Sequence, residues 1–164
     1  MIHILGEKSN SRLTAIQDGD SQPNAIDLRL GKVFAINNTL FELSEEGKRH
    51  RGTTEITPVY DWYYLEEGTY EVVMENIVTV GADEAGWVIT RSTLNRNGVF
   101  ITSGLYDSGY NGVMAGAMHV RCGPVRIKKG TRVAQFLLFK AEALTLYNGS
   151  YGLNSEHDKK YTKE

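Results

Sequence analysis

Short stretches in which apolar and polar residues alternate recur along most of this chain, and they constrain its fold more than any other feature. In Gly68 to Val80 the alternation places Tyr70, Val72 and Met74 on one face of a strand. Four further strands are predicted, in the segments GWVIT, GVFIT, GPVRIKKG and RVAQFLLF. Because strand signals return roughly every 8–12 residues, separated by turn-forming residues, the sequence predicts a compact all-β sandwich or barrel.

Three segments depart from this pattern. A turn near Ser92 to Asn97 is the only helical signal, and the polar segment Glu42 to Pro58 predicts a long loop or an exposed hairpin. The C-terminal tail is polar and charged, so we expect it to be mobile in the free protein. The 164 residues suggest one β domain at 1–146, followed by a mobile tail at 147–164.

Composition excludes several partners. The formal net charge is −2, so no basic field exists to hold polymeric DNA or RNA. No apolar run approaches the ~20 residues of a membrane helix, and the N-terminus lacks the apolar stretch of a signal peptide. The single cysteine, Cys122, excludes an intramolecular disulfide and favours a reducing, cytoplasmic location.

Two segments carry polar groups suited to chemistry, and each also has a purely structural interpretation. Arg91, Ser92 and Thr93 stand together at a predicted strand end, where a guanidinium and two hydroxyls suit phosphate oxygens. Alternatively, one of the hydroxyls caps a helix. The segment SGLYDSGYNG holds one acid, Asp107, among three glycines and two tyrosines, which suggests an acid aimed between two turns or an ordinary hairpin with a capping aspartate.

The order of five segments adds information that none of them carries alone. The succession DLRLG, RSTL, GLYDSGYNG, GTRVAQ and YNGSYG, from Ala25 to Gly152, resembles the ordered motifs of the trimeric dUTPase and dCTP deaminase superfamily. The resemblance implies an all-β, dUTPase-like β-barrel or distorted jelly roll, assembled as a homotrimer with sites at the subunit interfaces. DLRLGKVF looks more like the deaminases, whereas GLYDSGYNG and IKKGTRVAQ look more like the dUTPases.

The resemblance assigns the central roles to the third and second motifs. Asp107 would be the catalytic base that deprotonates a water for attack on the α-phosphorus of a deoxynucleoside triphosphate. Tyr110 would pack under the deoxyribose and exclude a 2′-hydroxyl, and the backbone of Gly104 would read the pyrimidine. Phosphate binding would fall to three neighbouring residues of the second motif, Arg91, Ser92 and Thr93.

In the resemblance, the remaining motifs contribute residues near a metal ion and a tail that closes over the site. Gln135 would lie near the phosphates, and Asp27 would reach Mg²⁺ through water, with the ion held mainly by the triphosphate. Tyr151 would stack on the base when the tail closes as a lid. The fifth-motif arginine is replaced by Leu146, which leaves Lys159 or Lys160 as candidates to grip the γ-phosphate.

The resemblance therefore predicts Mg²⁺-dependent hydrolysis of dUTP to dUMP and pyrophosphate. The alternatives are a dCTP deaminase or bifunctional enzyme, a hydrolase of another pyrimidine deoxynucleotide, or a non-catalytic nucleotide-binding regulator. The deaminases of the superfamily carry a glutamate ten residues after the third-motif acid, where this chain has Ala117, so deamination is not expected. Structural roles are predicted for His119 and Cys122, and His157 is expected to be solvated in the tail. Trp62 and Trp87 are expected to serve either the core or a subunit contact.

Overall fold

The computed structural model describes residues 1–162, and they form an almost entirely β structure. The elements are β1 (Arg12–Leu13), β2 (Ile26–Ile36), β3 (Glu42–Ser44), β4 (Gly47–Arg49), β5 (Thr53–Glu55), β6 (Trp62–Leu65), β7 (Gly68–Thr79), β8 (Glu84–Thr90), α1 (Ser92–Asn95), β9 (Val99–Thr102), β10 (Asn111–Val120), β11 (Val125–Lys128), β12 (Arg132–Lys140) and α2 (Lys159–Thr162). The all-β prediction is confirmed, as are the five predicted strands, the helical turn after Arg91 and the exposed hairpin, which is formed by β3 and β4.

The main sheet curls until its two edges meet. Its strand order is β8-β12-β2-β7-β10-β9, with β1 added to β7 and β5 added to β2. The edge strands β8 and β9 are joined by the hydroxyl of Thr90, which donates to the Ile101 carbonyl and accepts from the Ile101 amide. Further along, Gly86 and Tyr106 form an antiparallel bridge. These contacts bring the two edge strands together, so that the sheet forms a nearly closed barrel.

The barrel interior explains the alternating sequence pattern. The inward residues of β2 and β7 are fully buried, including Leu28, Leu30 and Val72. The middle of β7 also buries its outward face, because Val73 packs with Phe34 and Val113 in a second apolar cluster that the tail residue Tyr161 covers. Both faces of this part of the sheet are therefore covered, one by the core and the other by the end of the chain.

A buried carboxylate fastens the N-terminal segment to the barrel. Glu84, at the start of β8, is completely buried and accepts hydrogen bonds from the Asn10 amide at 2.8 Å and the Ser11 amide at 3.0 Å. The Ser11 hydroxyl and Lys140 also contact it. Burial alone would raise the pKa of Glu84, but these hydrogen bonds outweigh it and hold the pKa below its ordinary value of 4.5.

Replacing Glu84 with glutamine is expected to destabilise the protein by about 2–3 kcal/mol, because a neutral amide loses charge-assisted hydrogen bonds. Because the pKa of Glu84 is lower in the folded protein than in the unfolded chain, its carboxylate stabilises the fold fully at pH values above the ordinary pKa. This stabilisation is lost as the pH falls through the folded-state pKa. Thermal unfolding between about pH 6 and 3 should show a smaller acid-dependent loss for the variant than for the wild type. Asp18, an exposed acid outside this cluster, replaced with asparagine, is the control; identical pH profiles for wild type and E84Q would contradict the assignment.

Within residues 1–162, no helix has both the length and the apolar character needed to cross a membrane. The two helices have four residues each.

Candidate functional site

A glycine-rich loop between β9 and β10 presents Asp107 to solvent. The Tyr110 amide donates to the Asp107 carbonyl at 3.0 Å, and Gly109, with φ of 82°, completes the turn in a conformation that glycine adopts without strain. Bonds between Val80 and the loop backbone hold the turn against the end of β7. The Asp107 carboxylate is exposed and has no hydrogen bond or ion pair with any described residue. It is therefore held on a fixed turn with its proton-accepting oxygens free.

The ring of Tyr110 lies beneath a cavity of about 460 Å³ beside this loop. Tyr110 is buried, and its hydroxyl donates to the Val113 carbonyl at 2.7 Å, which fixes the orientation of the ring. Tyr106 and Tyr147 pack against it edge to face, at ring-centroid distances of 5.4 and 5.3 Å. The volume falls in the range of small-molecule sites, and the rings provide an apolar surface of the kind on which a sugar packs.

The floor of the cavity is the outer face of β10. Ala115 and Gly116 line it, and Gly104 lies at its rim with nothing within 4 Å of the place that a Cβ would occupy. The pairing of β10 with β7 shifts register between Val113 and Ala115. Small side chains and an irregular strand leave the backbone approachable here, as the prediction for Gly104 requires.

A second group of predicted residues surrounds Asp27 at the junction of β2, β8 and β12. Asp27 is completely buried, and its Oδ1 accepts a hydrogen bond from Gln135 Nε2 at 3.0 Å. Its Oδ2 lies 3.4 Å from Arg91 Nε and 3.4 Å from Arg132 Nη1, with no hydrogen bond of its own. The carboxylate thus orients one amide and two guanidinium groups, which are donors suited to phosphate oxygens.

Ser92 and Thr93 follow Arg91 as exposed residues in the single turn of α1. The alternative interpretation, a helix capped by one of these hydroxyls, is not what the structure shows: the N-cap position is Arg91, and no side chain caps the turn. Both hydroxyls are therefore free to contact a ligand near Arg91.

Within one chain, the Asp107 loop lies far from the group around Asp27. Gly86 is bridged to Tyr106, the residue before Asp107, whereas Arg91 lies five residues further along β8. At the usual rise of a strand the separation is about 17 Å. Asp107, Tyr110 and the cavity therefore form one part of the predicted site, and Asp27, Arg91 and Gln135 form another.

The tail crosses the hairpin and roofs the cavity. Gly152 lies against Gly112, where a Cβ on Gly112 would come within 2.7 Å of the Gly152 Cα atom. The Leu153 amide donates to the Asn111 carbonyl at 3.0 Å. Tyr151 lines the cavity, 40% exposed, so the ring predicted to stack on the base does face it. Residues 163 and 164 of the predicted tail lie outside the described residues.

Several tail residues differ from the sequence-based predictions. His157 is not solvated: it is half-buried, lines the cavity and bonds Asp158 through Nδ1 at 2.9 Å. Lys160 contacts Glu71 at 2.8 Å and Lys159 pairs with Glu156, so both candidate γ-phosphate cations already have carboxylate partners.

Two residues that line the cavity, Glu71 and His50, are not predicted from the sequence. Glu71 occupies an outward position of β7 and resembles an ordinary solvated residue in the alternating pattern. His50 follows the exposed hairpin strand β4, and its ring lies 4.6 Å from that of His157. Burial first, and then neighbouring positive charge, including that of Lys48 and Lys160, lowers the pKa of His50. The signal for both residues is spatial, because only strand register and the path of the tail bring them to the cavity.

The donor set does not suit a metal held by the protein alone. Across residues 1–162 there is no group of three or more histidine, cysteine, aspartate or glutamate side chains that could hold an ion. The orphaned Oδ2 atom of Asp27 could accept from a metal-bound water, but two guanidinium groups face it. The residues present therefore fit Mg²⁺ only as an ion that arrives with a polyphosphate ligand.

The fold of this chain is shared with solved structures. The 2′-deoxycytidine 5′-triphosphate deaminase from Agrobacterium tumefaciens matches 82% of this chain with a TM-score of 0.63 and 21% identity, and this chain spans 44% of that protein's length. The dUTPase of Staphylococcus bacteriophage 80alpha matches 88% of this chain and 98% of its own, with a TM-score of 0.52 and 12% identity. These likenesses define the class as the dUTPase and dCTP deaminase fold.

The chain belongs to the dCTP deaminase-like family, whose sequence model matches residues 2–141. A probable deoxyuridine 5′-triphosphate nucleotidohydrolase of Methanopyrus kandleri is 32% identical over 91% of this chain and 99% of its own length. A protein of the same description from Aeropyrum pernix is 30% identical over 82% of this chain and 86% of its own. The resemblance inferred from the five ordered motifs is thereby confirmed.

Proposed function

We propose that this protein hydrolyses dUTP to dUMP and pyrophosphate. The observation that carries the proposal is the free carboxylate of Asp107 on a fixed turn beside the cavity that Tyr110 lines. The archaeal relatives, described as probable dUTP nucleotidohydrolases, support the same reaction. With the sugar on Tyr110, the α-phosphate emerges next to the Asp107 turn.

The chemistry assigns one step to each part of the site. Asp107 takes a proton from a water molecule as that water attacks the α-phosphorus, and pyrophosphate leaves with the bonding electrons. Arg91 and Gln135, oriented by Asp27, neutralise and position the phosphate oxygens, with Ser92 and Thr93 as neutral donors beside them. Magnesium, when bound with the triphosphate, offsets the charge that develops on the leaving group.

Asp27 would meet magnesium only through water. The 3.4 Å separation of Arg91 Nε from Asp27 Oδ2 is longer than a hydrogen bond, so the guanidinium can turn to a phosphate and expose that oxygen. The dUTPase from phage phi11 of S. aureus, a fold neighbour with a TM-score of 0.51, coordinates a structural Mg(II) ion.

Deamination of dCTP is the competing activity in a family that includes deaminases. Ala117 occupies the position where the resemblance places the deaminase glutamate, and alanine cannot carry a proton. His119 is engaged by the hydroxyls of Thr69 and Thr102, which supports a structural role for that ring. No side chain of β10 at that position can therefore carry a proton to the base, and the relatives described as probable dUTP nucleotidohydrolases favour hydrolysis, so we expect the base to remain chemically unchanged.

The test is pyrophosphate release, measured across the deoxynucleoside triphosphates with magnesium, together with chromatography of the nucleotide products. The proposal predicts selective conversion of dUTP to dUMP. Formation of dUTP from dCTP, or of dUMP from dCTP with stoichiometric ammonia, would favour the deaminase alternative. Tight nucleotide binding with no product from any substrate would favour a regulatory protein.

We further propose that the active form is a cytoplasmic homotrimer in which one subunit completes the site of the next. The separation of about 17 Å between the Asp107 and Arg91 groups prevents one chain from placing both on one triphosphate. The outward residues Trp87 and Ile89 of β8 lie between these groups and are 51% and 36% exposed. A second copy that covers this apolar strip brings its own phosphate-binding group towards the cavity.

Light scattering on the purified protein should give a mass of three times 18.3 kDa. Replacing Trp87 with arginine should dissociate the assembly, because a charge is introduced into the apolar strip, and should abolish turnover together with the trimer. A stable monomer with full activity would refute the shared site. Arginine at the exposed Tyr64, away from this strip, is the matched control.

A further inference from the structure

Residues 42–52 form an arm, built on the β3–β4 hairpin, that contacts the tail above the cavity. The base of the arm is fixed, because β5, directly after it, pairs with β2 of the barrel. The arm meets the tail at two places: Lys48 contacts Tyr151, and the ring of His50 lies 4.6 Å from that of His157. The arm is therefore placed to hold the part of the tail that covers the cavity.

The ring of Tyr151 is held by the arm and by the rest of the tail. Lys48 Nζ lies 4.6 Å from the ring centroid and 3.4 Å from the hydroxyl, and an aromatic ring attracts an ammonium in such a position. His157 packs edge to face on the same ring at 5.1 Å. The Tyr151 amide donates to the Tyr147 hydroxyl at 3.1 Å, so the backbone is fixed as well. Since Tyr151 is 40% exposed and lines the cavity, the held ring stays accessible to a ligand.

His157 connects the arm to the turn of the tail that seats on the catalytic hairpin. Its Nδ1 bonds Asp158 Oδ1 at 2.9 Å, and Asp158 Oδ2 accepts from the Gly152 amide at 2.7 Å. His50 lies against the His157 ring at an interplanar angle of 48°, and no described residue forms a hydrogen bond with His50. His50 is exposed at the rim of the cavity, so its basic nitrogen is open to protonation.

We propose that Lys48 and His50 are positioning residues that hold Tyr151 over the cavity, so that the nucleotide is fully enclosed only when arm and tail are in contact. The proposal rests on the proposed function for the role of Tyr151 as the ring that stacks on the base. A ring that is ordered before the ligand arrives binds with a smaller loss of conformational entropy. The arm therefore strengthens substrate binding, which lowers the KM for dUTP and leaves kcat largely unchanged.

The contact with His157 also makes closure sensitive to pH. Among the described residues, the charged or titratable groups around His50 are His157 from the tail, Lys48 from β4, Lys160 from α2 and Glu71 from β7. Desolvation first, and then neighbouring positive charge, lowers the pKa of His50 below its ordinary value of 6.5, and Glu71 acts in the opposite direction. The docked tail is therefore best accommodated by a neutral His50.

The direction of the pH effect follows from this shift. Because His50 is harder to protonate when the tail is docked, docking has its full stability above pH 6.5 and weakens as the pH falls below that value towards the docked-state pKa. Glu84, which stabilises the barrel, loses its charge only below its ordinary pKa of 4.5. Mild acid should therefore release the tail while the barrel stays folded.

The experiment measures hydrogen exchange of the tail in the nucleotide-free protein, corrected for intrinsic exchange rates, at about pH 7.5 and 5.5. The protection of the wild-type tail should fall by up to about tenfold at the lower pH. H50Q, which cannot be protonated, should keep its protection at both values, and H50R, which is always charged, should lose it at both. In steady-state kinetics, K48M should raise the KM for dUTP by about 3- to 30-fold with kcat little changed, and K48R should restore it.

The matched control is R49Q, because Arg49 is a cation of the same arm that pairs with Glu42 and not with the tail. It should match the wild type in tail protection and in KM. A pH dependence of tail protection in H50Q equal to that of the wild type, or a K48M variant with unchanged KM and tail protection, would overturn the proposal. Tail protection that follows these predictions in a protein that hydrolyses no triphosphate would refute the proposed hydrolase while supporting the role of the arm, because exchange is read without nucleotide.

Discussion

Replacing Asp107 with asparagine is expected to lower the turnover of dUTP by about a hundred- to ten-thousandfold, with little change in the affinity for a non-hydrolysable dUTP analogue. The amide is nearly isosteric with the carboxylate but cannot take a proton from water. Because the Asp107 side chain makes no bond to any described residue, its replacement leaves the packing of the hairpin unchanged. Single-turnover kinetics with magnesium and calorimetry with the analogue measure the two quantities separately.

The control for Asp107 is D83N, which removes another exposed carboxylate close to the start of β8. It should retain full turnover, and both variants should unfold within a few degrees of the wild type. Normal turnover in D107N would show that another group activates the water. A parallel loss of analogue affinity would mean that Asp107 binds the substrate and is not the base.

Replacing Gly152 with valine is expected to raise the KM for dUTP by about ten- to a hundredfold, because the tail can no longer seat on the hairpin. A Cβ at this position would lie 2.8 Å from the Asn111 carbonyl, and the φ of 126° is one that side-chain-bearing residues rarely adopt. The backbone strain and the steric overlap with Asn111 both destabilise the docked position of the tail. The barrel itself has its own core and should be little affected.

Steady-state kinetics, compared with resistance of the tail to limited proteolysis with and without the dUTP analogue, checks the lid. In the wild type the analogue should protect the tail, and in G152V the protection should be lost. G47A, at a glycine with open space around it, is the control. Unchanged KM with a cleaved or undocked tail would argue against a lid, and would assign residues 147–162 a purely structural role in covering Phe34 and Val73.

Local sequence was sufficient to predict the strands and the hairpin for physical reasons. The alternation of apolar and polar residues in β7 and β12 indicates strands that face the core, and the glycines around Asp107 indicate a turn, so both features are encoded within a few residues. The order of the five motifs was sufficient to indicate the family. These predictions depend on neighbouring residues or on the sequence as a whole, and neither requires knowledge of contacts between distant strands.

The cavity could not be predicted in the same way, because its far end depends on non-local contacts. Glu71 faces Ala117 through a register that includes a shift after Val113, and a slip of one residue would turn the carboxylate to the other face. His157 was expected in solvent because the tail reads as polar, yet Tyr161 anchors that segment in the second apolar cluster. Burial of this one aromatic side chain is enough to dock the polar tail on the barrel. The average composition of the tail does not reveal the contribution of a single residue.

Hydrolysis of dUTP in ¹⁸O-labelled water tests the central claim most directly, because it reports both the substrate and the phosphorus atom attacked. The account predicts that the wild type releases dUMP carrying one labelled oxygen together with unlabelled pyrophosphate, and that D107N produces neither at a comparable rate. Label in pyrophosphate with unlabelled dUMP would place the attack on the β-phosphorus, and would contradict the assignment of Asp107 as the base for attack at the α-phosphorus. Absence of dUTP hydrolysis by the wild-type protein would contradict the proposed function itself.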